Sequence, residues 1–115
     1  MTEAAGLSAE DAKLVTLARG ARGRVGATEG AAVRDETGRT YSGATVALDG
    51  LAVSALALAV AQAAASGARG LEAAVLVGSD AVSDDDLGAV RALGGTGVPV
   101  LLAAADGTVT ATVGS

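Results

Sequence analysis

The sequence predicts an α/β fold: a three-layer α/β/α arrangement with a mixed five-stranded sheet flanked by helices. Three observations predict it. Segments with apolar residues at helical spacing alternate with segments of strand character along the chain. The segment LEAAVLVG (71–78) is apolar almost throughout, as a strand covered on both faces is. Two turn signals, DETG at 35–38 and Asp106-Gly107, each sit between short strand-like runs, the pattern of a hairpin. The predicted order is α-β-β-α-β-α-β-β, in a single domain over residues 1–115.

Residues 1–7 are expected to fray. Ser8 is a good N-cap, with Glu10 and Asp11 in the first turn where the helix dipole favours acids. Leu14, Val15, Leu17, Ala18 and Ala21 recur at helical spacing, so the first helix runs over about 9–22, and the glycines of RGARGRVG end it. Strands follow over 30–34 and 39–47, paired as an antiparallel hairpin. Asp49-Gly50 breaks the chain, and a helix runs from Leu51 to Ala65. It is apolar on nearly every side, which predicts burial under the sheet and against another helix or subunit. Residues 71–78 form a buried strand. Ser83, with Asp86 three residues on, caps a short helix to about Leu93, an acidic variant of the capping box. After the GGTG loop (94–97), Pro99 opens a strand, and Asp106-Gly107 turns it into the last one, TVTATV.

Composition narrows the function. Half of the residues are hydrophobic, but the apolar mass is Ala, Val and Leu, with Tyr41 the one aromatic. Such a core depends on many close contacts rather than a few large side chains. The net charge of −5 and a single aromatic exclude nucleic acid as a partner, since phosphates need a basic face and bases need stacking surfaces. The absence of cysteine excludes disulfides and thiol catalysis. The N-terminus lacks the basic start and apolar core of a signal peptide. The longest apolar run, 51–65, falls short of the roughly 20 residues that span a bilayer. The expectation is a soluble, cytoplasmic protein with no membrane contact.

Four features have both a sharp and a plain explanation. Asp84, Asp85 and Asp86 could hold a divalent cation. Acids at a helix N-terminus are explained by the dipole alone, and that reading is preferred, because adjacent helical residues diverge around the axis. Ser54 as a nucleophile has no histidine to act as its base. A small polar residue bonding its own backbone in the first turn explains it better. The glycines at 20, 23, 26 and 30 do not match a phosphate-loop motif and leave a helix rather than open one, so they read as a flexible connection. Tyr41 could line a pocket, but packing on the sheet is the simpler reading.

Four short motifs carry a resemblance: GAAV at 30–33, TG at 37–38, GRTYSG at 38–43, and the Gly-Leu-x-Val of 50–53. In this order and spacing they resemble the strand-then-helix unit of cytidine deaminases, and the element order over 9–113 is similar to that family's, lacking only a C-terminal helix. In the family, the buried helix opens with Cys-Ala-Glu or His-Ala-Glu, a zinc ligand followed by the glutamate that moves protons. The resemblance places these on Ser54, Ala55 and Leu56. The family's second zinc motif, Pro-Cys-x-x-Cys, falls near Ser83, Asp84 and Leu87. The ribose-binding Asn and Glu fall on Thr45 and Ala47, and the Phe near the base falls on or near Ala27.

A catalytic zinc takes three protein ligands and keeps an open position for water. It lowers the water's pKa while the glutamate carries the proton. Serine is a poor zinc ligand and leucine is none. The resemblance therefore implies a homologue with no catalytic residues, no zinc and no other cofactor, its pocket filled by Leu56, acting as a structural or protein-interaction module. The alternative is a nucleoside- or small-molecule-binding protein, or an enzyme with a remodelled zinc-free site, in the old cleft. The family also assembles through its buried helices, which implies a homodimer or homotetramer here. A further protein partner of unknown kind fits the module reading.

Overall fold

The computed structural model describes residues 7–115. Most of the residues expected to fray, 1–6, lie outside that range. The first helix, α1, spans Ala9–Val25. The Ser8 hydroxyl accepts the Asp11 N–H at 3.0 Å, and Gly26, at φ 63°, closes the other end in the left-handed conformation. The helix therefore runs three residues beyond the predicted Arg22. Gly20 and Gly23 each weaken a helix by only about 1 kcal/mol, and the residue able to turn left-handed comes later, at Gly26.

The hairpin follows as β1 (Gly30–Asp35) and β2 (Thr40–Ala44), antiparallel with Ala32 opposite Ser42. The next segment departs from expectation. The strand predicted over 39–47 ends at Ala44, and the helix predicted from Leu51 does not start there. Val46–Leu48 (β3) and Leu51–Val53 (β4) instead form a separate two-stranded ribbon around Asp49-Gly50, with Gly50 at φ 85°. Asp-Gly is a strong hairpin turn, and here its flanks pair with each other, so the helix starts only after them. The helix α2 spans Ala55–Ala65, capped by Ser54.

The rest of the chain follows the predicted order: β5 (Leu71–Val77), α3 (Asp84–Gly94, capped by Ser83), β6 (Pro99–Ala103) and β7 (Val109–Gly114). The main sheet has the order β2-β1-β5-β6-β7, and β5–β6 is its parallel pair. Alternation along the strands divides the core in two. Ala32, Val75, Val77 and Leu101 meet α1 through Leu14, Val15 and Ala18. Ala31, Val33, Leu76 and Val100 meet α2 and α3 through Leu56, Val60 and Val90 on the opposite face. These are the three predicted layers.

Glycine sets how close the layers come. A Cβ on Gly30 would stand 2.1 Å from the Ala18 carbonyl oxygen and 2.7 Å from the Arg22 Cβ. A Cβ on Gly43 would lie 3.1 Å from both the Ala55 carbonyl and Leu58. Two glycines of the GAAV and GRTYSG motifs thus let α1 and α2 rest against the hairpin. Gly30→Ala is expected to force α1 off β1 and cost about 1–3 kcal/mol, as overpacking does. A urea midpoint unchanged from the parent would refute this.

The DETG signal makes Asp35 a turn residue, but the structure buries it fully, and it organises the β1–β2 turn. Its carboxylate accepts the N–H groups of Thr37 and Arg39 (both 2.9 Å), the Thr37 hydroxyl (2.8 Å) and the Tyr41 hydroxyl (2.9 Å). Burial alone would raise its pKa, but these donors lower it to about 2. Tyr41 packs its ring on the core, and burial followed by its bond to Asp35 raises its own pKa. Among the described residues no helix is long and apolar enough to cross a membrane.

Candidate functional site

The N-termini of α2 and α3 open side by side onto a cleft of about 740 Å³. Each is built by a serine N-cap. The Ser54 Oγ accepts the Ala57 N–H at 3.2 Å, and the Ser83 Oγ accepts the Asp86 N–H at 3.1 Å. One contact joins the two ends: the Ser54 hydroxyl donates to Asp86 Oδ1 at 2.6 Å. Such a short bond is typical of a hydroxyl meeting a charged acceptor. Asp86 is only 9 % exposed. The predicted capping box is thus half made. Asp86 offers its backbone N–H to Ser83, but its side chain reaches across to the cap of the other helix.

Glu29, at the entry to β1, and Asp85 also line the cleft, with Leu76 of β5, Val53 and Val82 forming its apolar part. Of the nine positions the sequence singled out, Ser54 and Ser83 line it. Ala55 and Leu56 do not: both are fully buried in the core between α2 and the sheet. Leu56 therefore does not fill the cleft. The helix turns the Leu56 side chain toward the strands, one position round from cleft-lining Ala57. Asp84 is exposed in the first turn of α3, and Leu87 packs half-buried against the core, so neither lines the cleft.

Thr45 lies outside the lining. Its Oγ accepts from the Thr28 hydroxyl at 3.3 Å, and its N–H donates to the Glu29 carbonyl at 3.1 Å, fixing the segment that brings Glu29 in. Ala47 is exposed on β3, and Ala27 is half-buried ahead of β1.

The three aspartates diverge as helical geometry requires, and among the described residues no group of three acids, histidines or cysteines could hold a metal ion. Sequence reasoning missed the two-helix bridge of Asp86 and the arrival of Glu29. Neither had a signal: the Ser83-x-x-Asp86 spacing predicts a bond back to the helix's own cap rather than across to Ser54, and nothing in the sequence marks Glu29.

The cytidine deaminase-like family profile matches residues 7–107, which include both helix caps and the bridge between them. The chain belongs to the cytidine deaminase-like family. Solved structures agree. A cytidine deaminase from Burkholderia pseudomallei superposes with a TM-score of 0.76 at 25 % identity, over 88 % of this chain and 89 % of that one. A cytidine deaminase from Mycobacterium leprae gives 0.67 at 23 % identity, over 78 % and 85 %. A mutant cytidine deaminase from Mycobacterium tuberculosis gives 0.67 at 24 %, over 76 % and 79 %. No curated protein matches the chain. This member of the cytidine deaminase-like family therefore shares the deaminase fold, with Ser54, Ser83 and Asp86 meeting where α2 and α3 begin.

Proposed function

We propose that this cytidine deaminase-like protein binds a small molecule in the cleft between α2 and α3 and does not perform zinc-dependent hydrolysis. The open cleft, acidic on one side and apolar on the other, carries the reading. A structural or protein-interaction role alone would leave no reason to keep a solvent-accessible volume lined by Ser54, Ser83 and Asp86. A volume of that size suits an organic molecule.

The residues present do not fit a catalytic zinc. The cleft offers the hydroxyls of Ser54 and Ser83 and the carboxylates of Glu29, Asp85 and Asp86, which among the described residues do not converge as a metal-holding group, and the chain contains neither histidine nor cysteine. Leu56, where the resemblance puts the proton-carrying glutamate, is apolar and faces the core. Purified protein supplied with zinc is expected to retain less than one equivalent after dialysis and to release no ammonia from cytidine. Stoichiometric zinc or sustained ammonia release would overturn the loss of chemistry. Nucleosides and other small molecules screened by thermal shift test the binding half, and a shift abolished by cleft substitutions supports it.

We also propose a cytoplasmic homo-oligomer, dimer or tetramer. Leu48 and Leu51 sit opposite each other on the β3–β4 ribbon, 64 % and 53 % exposed, more apolar surface than a lone ribbon usually leaves in water. Light scattering is expected to give a mass of at least twice the 10.8 kDa chain. A clean monomer at micromolar concentration would refute the assembly.

A further inference from the structure

We infer that the cleft takes a small organic cation, an ammonium or amidinium head on a compact apolar body. The inference rests on the proposed small-molecule role of the cleft and adds the class of ligand. Every ionisable residue lining the cleft is an acid: Glu29, Asp85 and Asp86. Among the described residues the ion pairs join Arg34 to Asp11 and Glu72, and Arg39 to Asp35; none reaches a cleft acid. The two helix N-termini contribute about +0.5 charge each, so three carboxylates still leave the site negative.

Asp86 is also short of donors for a buried acid. A buried carboxylate normally collects several donors. Asp35, the other buried acid, has four hydrogen bonds from neighbouring residues and an arginine at 3.4 Å. Asp86 is nine-tenths buried, yet its one side-chain donor is Ser54, on Oδ1. Its Oδ2 has no donor among the described residues, and the residue lines the open cleft. A positively charged N–H donor from a ligand would complete it.

A metal ion is the poorer occupant, because the acids do not converge within ligating distance. The remaining lining, including Ala52, Val53, Leu76 and Val82, is apolar and suits a hydrocarbon or aromatic frame. A cationic head against Asp86 with an apolar body along this wall matches both halves of the site.

The test is a titration of full-length protein with benzamidine, its neutral counterpart benzamide and benzoate, followed by amide chemical shifts and calorimetry. Benzamidine is expected to move the resonances of Ser54, Ser83 and Asp86 and to bind at least about tenfold more tightly than benzamide. Added salt should shrink that preference. Asp86→Asn should abolish it, while Asp84→Asn, outside the cleft, should keep it. If Asp86→Asn does not fold, Asp85→Asn should still reduce the preference. Equal binding of benzamidine and benzamide, a preference unchanged in the cleft variants, or stoichiometric displacement of benzamidine by calcium or zinc would overturn the cation assignment. Equal binding would leave the small-molecule role standing. Failure of these compounds and of nucleosides alike to perturb the cleft would remove both.

Discussion

Leu56→Glu is expected to unfold the protein rather than restore a proton carrier. The resemblance to cytidine deaminases makes this the obvious substitution to attempt, since it returns the family's glutamate to its expected place. The structure gives the opposite expectation. Leu56 has no exposed surface and packs in the cluster that holds α2 to the sheet with Val33, Val60 and Leu76. Removing it forfeits about 2–3 kcal/mol of burial. A carboxylate in its place meets no donor in that cluster, and the effective penalty for such a buried ion is several kcal/mol more. Domains of this size are stable by only about 5–15 kcal/mol. Circular dichroism should show loss of the cooperative transition, whereas Leu56→Met, which conserves volume, should cost less than about 1.5 kcal/mol. A folded Leu56→Glu protein melting near the parent would show that this side chain can turn into the cleft, and the zinc-free reading would have to be revisited.

Replacing Asp35 is expected to be the most damaging change outside the helical cores. All four groups hydrogen-bonded to its carboxylate are donors. In Asp35→Asn, the new amide brings donors of its own against at least one of them. Asp35→Ala leaves them all without an acceptor. A fall in melting temperature on the order of 10 °C is expected for either.

The pH dependence follows from the lowered carboxyl. Burial opposes ionisation, but the bonds from Thr37, Tyr41 and Arg39 outweigh it and bring the folded pKa from the ordinary 3.8 to about 2. A group depressed on folding contributes stability that is fully present above its unfolded pKa and is lost as pH falls through its folded one. The parent should therefore lose stability as pH drops from 3.8 towards 2. Asp35→Asn should lack that component, so the gap between the two melting temperatures should narrow in acid. A gap that stays constant down to pH 2 would show that the carboxylate is not the source.

Much of the fold was legible because it rests on local rules. Ser8, Ser54 and Ser83 are all helix caps, and two of them were expected. Residue type alone marks strands over 30–34 and 71–78 and a strand opening at Pro99, where β1, β5 and β6 lie. Where prediction slipped, a local signal was ambiguous. LAV at 51–53 is apolar enough for either a strand or the front of a helix, and only pairing with Val46–Leu48 decides it. Asp35 looked like an ordinary turn acid because its burial depends on Tyr41 returning across the hairpin.

From its sequence alone this protein has a fixed element order, a core of small side chains, no thiol or imidazole to bind zinc, and two serine-capped helices. Those properties follow from residue chemistry and short-range periodicity, which need no knowledge of the distant chain. Tertiary structure decided the site. It turned Leu56 inward instead of into the cleft, and it brought Ser54 to Asp86, 32 positions away, while delivering Glu29 to the same rim. The reason is geometric: a one-residue step around a helix selects core or cleft, and contacts between separate helix ends are set by how the layers pack.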